Sequence, residues 1–318
     1  MRLMTKSFTE KVTIREVGLR DGLQSISSIL PTEQKQQWIS GAVEAGITEI
    51  EVGSFVPAKL LPQLADTREL VAFSQKFPAL HVSVLVPNLK GAEFAIESGA
   101  DLMLIPLSAS REHSLANVRR TPMDMLEQVR KICAARDAAS SPIRIEGGIG
   151  TAFGCTIQGK VPRQEVFDLL KGLMDAGVDD LSLADTVGYA DPRSVYELFA
   201  KAQELTGNRI SSGHFHDTRG LALANICAAM ETGVTRFDAS LSGIGGCPHA
   251  PGASGNVSTE DLVFMLESMG ISTEISVSKL LSLRNRLKGW LKGETLHGVL
   301  WQSGLPKTFT QANRPDGD

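Results

Sequence analysis

The sequence predicts an α/β fold, a (β/α)8 TIM barrel with an extra C-terminal helix, on three observations. A phrase recurs four times: an acidic residue, a small residue, glycine, an apolar residue and then a strand-like run. It reads "EAGITEIEVGSF", "ESGADLMLIPLS", "DAGVDDLSLAD" and "ETGVTRFDASLSG". Short apolar runs alternate with stretches carrying apolar residues at helical spacing, eight of each. No Pro- or Ser-rich linker divides them, so the 318 residues read as a single domain, with the barrel over about 12–270 and an extension over 271–318. A doubly wound open sheet also alternates, but its phosphate-loop and dinucleotide fingerprints do not follow the first strand.

In chain order, "VTIREVG" is β-branched and alternating, and opens the barrel as a strand over 12–18. A helix over 32–45 ends at Gly46, where a left-handed residue turns the chain into a strand over 47–54. A helix over 62–76 leads to the strand "HVSVLVP" over 81–87. The amphipathic stretch over 88–98, with "EFAIESG", ends at Gly99 before a strand over 102–108. A helix over 122–138 precedes "IRIEGG" in a strand over 143–149. The helix over 163–176, with "EVFDLLKGLMDAG", ends at Gly177 before a strand over 180–186. A helix over 192–205, a strand over 209–217 ("RISSGHFHD"), a helix over 219–232 ending near Gly233, a strand over 236–242 and a helix over 258–269 complete the alternation. Beyond it, "SVSKLLSLRNRLKGWLKGE" reads as a basic amphipathic helix, suited to capping the barrel, to a subunit contact or to holding a ligand, and "PKTFTQANRPDGD" reads as a frayed tail.

The composition, 42% hydrophobic and 21% charged with a net charge of -4, is that of an ordinary globular protein and not of a nucleic-acid binder. "MRLMTKSFTEK" lacks the apolar run of a signal peptide, and no uninterrupted apolar run has membrane-spanning length, so the expectation is a cytoplasmic protein without membrane contact. The four cysteines show no CxxC spacing, which argues against a disulfide framework or a structural zinc site.

Barrel active sites lie at the carboxyl ends of the strands. Arg20 and Asp21 stand there after the first strand, followed by Gln24; Glu51 and Ser54 after the second; Ser182, Asp185 and Thr186 after the sixth. On the seventh, "GHFHDT" places His214 and His216 two apart, on one face. After the eighth comes the glycine-rich "GIGGCPHAPGASGN", with Cys247 and, at its end, Asn256. Each has a plainer reading: a packed histidine pair, a helix-capping aspartate, an ion-paired glutamate, a long turn, a small buried thiol. Together, two imidazoles, a carboxylate and an amide oxygen at one end of a barrel form a mixed N/O site. That set suits Mg²⁺ or Mn²⁺, with Zn²⁺ or Co²⁺ as alternatives, and leaves Cys247 free for chemistry.

"REVGLRDGLQ", "IEVGSFVPAKLLPQLAD", "SLADTVG", "GHFHDTRGLALAN" and "GIGGCPHAPGASGNVSTEDLV" resemble the metal-dependent 3-hydroxy-3-methylglutaryl-CoA (HMG-CoA) lyases, relatives of the isopropylmalate synthases, over about residues 12–270. The resemblance implies one divalent cation, an acyl-CoA substrate, a homodimer and carbon–carbon cleavage in leucine degradation. It makes Asp21, His214, His216 and Asn256 the metal ligands, and Arg20 the stabiliser of the acetyl enolate. Glu51 orients the site, Asp185 lies near the acyl group, and Cys247 transfers a proton at the acetyl carbon. His214 is the first candidate base, and Gln24, Ser54, Ser182 and Thr186 are expected to line the substrate.

The chain departs from the family's Arg-Gly-Tyr-Val-Ser and Cys-Pro-Tyr/Phe-Glu-Gly stretches after the fifth strand. Glu146 stands near the expected arginine, Gly148 at the tyrosine and Thr156 at the proline; Arg111 replaces a glutamate after the fourth strand, and His249 replaces the tyrosine after Cys-Pro. These changes lie where the acyl group's distal carboxylate would be held; leaving that carboxylate unpaired costs roughly 3–5 kcal/mol, so Arg111, Arg144 or His249 is expected to compensate. The substrate reading is therefore HMG-CoA or a close analogue, with (R)-citramalyl-CoA as the alternative. A condensing enzyme of the same group, or a barrel that only binds a metal or acyl-CoA, are the competing functions.

Overall fold

The computed structural model describes residues 9–246 and 255–311. Eight parallel strands close on themselves in sequence order: β1 (Thr13–Glu16), β2 (Glu49–Ser54), β3 (His81–Leu85), β4 (Leu102–Ser108), β5 (Arg144–Gly150), β6 (Asp180–Asp185), β7 (Ile210–Phe215) and β8 (Arg236–Ala239). The β8–β1 seam runs from Thr13 opposite Arg236 to Glu16 opposite Ala239, which excludes the open sheet. Each expected strand is present: the fourth has the expected bounds, the fifth is shifted by one residue, and the other six are shorter by one to three residues where the ladder gives way to a loop. Among the described residues no helix is long and apolar enough to cross a membrane.

Around the strands lie α1 (Thr32–Ala45), α2 (Thr67–Ser74), α3 (Leu89–Ser98), α4 (Arg111–Val118), α5 (Pro122–Ala138), α6 (Arg163–Ala176), α7 (Pro192–Thr206), α8 (Ala222–Met230), α9 (Thr259–Ser268), α10 (Val277–Trp290) and α11 (Leu300–Ser303). Gly46, Gly99 and Gly177 are left-handed C-caps, as expected. The single helix expected over 62–76 is a 3₁₀ turn at Pro62–Leu64 followed by α2. Asp66, at the break, is engaged by the buried Lys35 ammonium at 2.5 Å and by the Thr32 hydroxyl at 2.8 Å. The sequence reading missed α4, because only His113 and Ser114 of it are buried and its apolar periodicity is weak.

The basic helix of the extension, α10, packs along α1, with Leu283 and Arg286 against Gly41. Arg284 is fully buried: its Nε lies 2.7 Å from Glu260 Oε1, it donates to His297 O at 3.0 Å, and its guanidinium covers the Trp301 ring. The stretch expected to fray is packed at Phe309, which meets Phe264 of α9.

Glu16 closes the barrel's first turn. Its Oε1 accepts the Gly18 and Leu241 N–H groups, both at 2.9 Å, and its Oε2 accepts the Thr259 hydroxyl at 2.6 Å. Burial, reinforced by the nearby Glu260 charge, outweighs these donors and pushes the carboxyl up from 4.5 to about 7. A carboxyl that holds its proton more tightly when folded makes the native state most stable below pH 4.5 and progressively less so up to about pH 7. The fall amounts to at most about 3 kcal/mol. Glu16→Gln, which has the shape of the neutral form at every pH, is expected to remove most of that fall. Unfolding free energies at pH 5 and pH 8 check this; an undiminished difference in the variant would assign the pH dependence elsewhere.

Candidate active site and metal centre

The chain leaves β1 through one tight turn, Gly18–Gly22, in which Val17 O accepts the N–H groups of Arg20, Asp21 and Gly22 at 3.1, 2.8 and 3.3 Å. The turn exists because Gly18 has no side chain: a Cβ there would lie 2.5 Å from both the Trp38 ring and Glu16 Oε1. It buries Arg20 and aims it at two carboxylates. Arg20 Nη1 donates to Asp21 Oδ1 at 2.6 Å, and Nε lies 2.8 Å from Glu51 Oε2 on β2. Burial raises the Glu51 carboxyl above its usual range, with Arg20 pulling the other way.

His214 near the end of β7 and His216 just past it face the same way, with their Nε2 atoms 3.1 Å apart. His216 Nε2 lies 3.7 Å from Asp21 Oδ2, and ligand atoms of Asp21, His214 and His216 all fall within 4.8 Å of one another. Asn256 joins them from beyond β8. Its Nδ2 donates to Asp21 Oδ2 at 2.6 Å and to Ile244 O at 3.1 Å. Against the cost of burial, Arg20 and the two imidazoles hold Asp21 well below the usual carboxylate range, so it is anionic.

These four residues fit a divalent cation. Asn256 Oδ1 is buried without a hydrogen-bond partner, an orphan acceptor whose burial costs free energy unless something positive meets it. His214 Nδ1 is engaged by Asp238 Oδ2 at 3.0 Å, which leaves Nε2 as the nitrogen facing His216 and Asp21, the carboxylate–histidine pairing common behind metal ligands. Gly245 permits the close approach of the β8 loop: its φ is +116°, and a Cβ there would lie 2.4 Å from Asn256 Nδ2 and 3.1 Å from Asp21 Oδ2. Cys247 and His249 lie outside the described residues. The chain flanking them is described, and Gly255 lies against Gly243 and Gly245 beside the cluster.

The remaining expected residues divide. Gln24 follows the turn, with a buried, unpartnered Oε1. The Ser54 hydroxyl accepts Val56 N–H, and the Thr186 hydroxyl accepts Thr151 N–H, so both shape loops. Asp185 accepts the Tyr189 and Ala190 N–H groups at 2.8 and 3.0 Å, while lying near enough to His216 to feel its charge. Ser182 faces Gly148 and hydrogen-bonds Glu146.

Two residues were missed. Arg15 and Asp238 sit in the middle of strands, where charge is rare, and that rarity was the available signal. Arg15 also accounts for Glu146, which stands near the position where an arginine was expected. Its Nη1 and Nη2 grip Glu146 at 2.9 and 3.1 Å, so the carboxylate is not unpaired. Arg144 pairs with Asp180 at the start of the strands, the end opposite the site, and Arg111 pairs with Glu112 on the exposed first turn of α4.

A family model described as HMGL-like matches residues 11–287. The hydroxymethylglutaryl-CoA lyase YngG of Bacillus subtilis is 39% identical over 86% of this chain and 91% of its own. The mitochondrial hydroxymethylglutaryl-CoA lyase of Homo sapiens is 38% identical over 87% and 84%. Among solved structures, an HMG-CoA lyase from Acinetobacter baumannii in complex with coenzyme A and 3-methylmalate superposes with a TM-score of 0.89 at 37% identity, over 97% of this chain and all of that one. A match of this extent, on a closed barrel whose strand ends gather an Asp–His–His cluster, makes the chain a lyase of the HMGL-like family.

Proposed function

We propose that the protein is a divalent-cation-dependent lyase, with Mg²⁺ or Mn²⁺ as its metal, that cleaves HMG-CoA or a close analogue into acetyl-CoA and acetoacetate. The observation that carries this reading is the convergence of Asp21, His214, His216 and the orphan Asn256 Oδ1 beside the buried Arg20 guanidinium.

Asp21, His214, His216 and Asn256 would hold the cation, which when bound would supply Lewis-acid activation of the substrate's tertiary alcohol. Arg20, fixed between Asp21 and Glu51, presents its guanidinium where enolate charge develops as the carbon–carbon bond breaks. It reaches that role without reorganising, because both carboxylates already hold its plane. His214 has one nitrogen to offer, since Asp238 occupies Nδ1; ligation and proton acceptance compete for Nε2, and we assign it to ligation. Cys247 retains the role expected from the resemblance, proton transfer at the acetyl carbon.

The acyl end favours HMG-CoA or a bulkier analogue over (R)-citramalyl-CoA. Gly148 leaves bare backbone in the wall between Leu104 and Ser182, where a Cβ would lie 3.7 and 3.1 Å from those side chains. The resemblance places a tyrosine there, so this chain leaves more room and not less. The comparison that tests it is kcat/KM for HMG-CoA against (R)-citramalyl-CoA, with protein stripped by a chelator and reloaded with Mg²⁺ or Mn²⁺. Cation-restored cleavage with HMG-CoA preferred is expected; preference for (R)-citramalyl-CoA would transfer the assignment to the shorter acid.

Two substitutions separate the roles within the site. His216→Ala is expected to weaken Mn²⁺ binding at least tenfold, read by titration of the apoprotein; unchanged binding would remove His216 from the ligand set. Cys247→Ala is expected to abolish turnover while Mn²⁺ affinity stays within about twofold of wild type. Wild-type turnover in that variant would take the proton-transfer role away from Cys247.

A further inference from the structure

Beneath the four candidate ligands the barrel axis carries a second cluster of charge. Arg15 points inward from β1 and is 1% exposed. Its Nε donates to Asp238 Oδ1 on β8 at 2.7 Å. Its two terminal nitrogens cross the barrel to grip Glu146 on β5, the strand opposite. Glu146 also accepts the Ser212 hydroxyl at 3.1 Å, from the strand that carries both histidines. Asp238 presents its other oxygen to His214 Nδ1 at 3.0 Å. An unbroken chain of charge-assisted contacts therefore runs Glu146–Arg15–Asp238–His214 and ends at the ring whose free nitrogen faces His216 and Asp21.

We propose that Arg15 is a positioning residue of the metal centre: by holding Asp238 from one edge and Glu146 from the other, it sets the orientation of the His214 ring. This rests on the reading of His214 as a ligand. The geometry leaves little alternative for Asp238. Its Oδ1 is taken by Arg15 and its Oδ2 by His214, so rotation of the carboxylate breaks one contact or the other. Arg15 is fixed in turn because its bidentate contact is with a carboxylate tied to β7, so ring, carboxylate and guanidinium form one rigid frame across four strands. The frame also accounts for the departure at position 146. The resemblance expects an arginine on β5; here β5 carries the carboxylate and the guanidinium arrives from β1. The ring on β7 is supported through Asp238 all the same.

The experiment reads Mn²⁺ binding to the apoprotein, with and without acyl-CoA turnover, in wild type, Arg15→Lys and the double variant Arg15→Met/Glu146→Met. The double variant removes both charges of the cross-barrel pair together, so no glutamate is left buried and unpaired. Arg15→Lys keeps the charge but not the fork, and serves if the double variant does not fold. Removing support behind a ligating histidine is expected to weaken Mn²⁺ about 10–100-fold. kcat should fall while KM for the acyl-CoA changes less than threefold, a split that general destabilisation would not produce. A folded double variant, or a folded Arg15→Lys, that binds Mn²⁺ within twofold of wild type would overturn the proposal while leaving the ligand assignment intact. Wild-type protein that binds no Mn²⁺ would instead overturn the ligand assignment, and this proposal with it.

Discussion

Water is scarce inside a closed eight-stranded barrel, and that scarcity governs how this molecule uses charge. A side chain that points inward from a strand leaves bulk solvent, and an ion there needs an opposite partner at contact distance. Among the described residues, each buried arginine meets the requirement with at least one carboxylate distant in sequence. Arg15 joins Glu146 and Asp238, Arg20 joins Asp21 and Glu51, and Arg284 joins Glu260. Arg15 and Arg20 are each held by two carboxylates, and Asp21 also faces His216 and the Asn256 amide, whose Oδ1 has no hydrogen-bond partner. A cation bound there would meet that orphan acceptor.

The same constraint explains why the site is rigid at one side and adjustable at the other. Asp21 and His216 are tied by backbone hydrogen bonds to Val17 and Asp185, and Asn256 is followed by Val257, whose N–H donates to Phe215 O. Opposite them, the wall formed by Leu104, Gly148 and Ser182 is neutral and partly bare backbone. On the function proposed above, changes in that wall would alter the acyl group that fits without disturbing the residues that carry the chemistry. Relatives near 38% identity can therefore share a reaction class while differing in the pocket.

The C-terminal extension belongs to this arrangement and is more than an appendage. Arg284 of α10 holds Glu260, and Glu260 accepts the Ser242 N–H at 3.1 Å, while His297 N–H donates to Ser242 O at 2.7 Å. Ser242 has a φ of +64°, uncommon outside glycine, and is clamped on both sides of its backbone just before the segment that carries Cys247. Glu294 grips Ser28 at 2.6 Å, so the same extension also braces the loop after β1.

Much of this was legible in the chain itself. Periodicity and the recurring glycine exposed eight strand–helix units, because a helix that must turn back into a strand needs a left-handed residue wherever it ends. Strand-end logic put Asp21, His214, His216 and Asn256 among the candidates at one end of the barrel, since alternation fixes which residues share a face, and the family resemblance singled them out as ligands. Arg15 and Asp238 escaped for a physical reason: which charges meet across a barrel depends on strand register and closure, and neither is encoded in any local window. The same holds for Glu146, which reads as a loss when taken alone and becomes half of an ion pair once β1 stands opposite β5. Local chemistry is written residue by residue; the partners of buried charge are chosen only when distant segments share a space too dry to leave any of them alone.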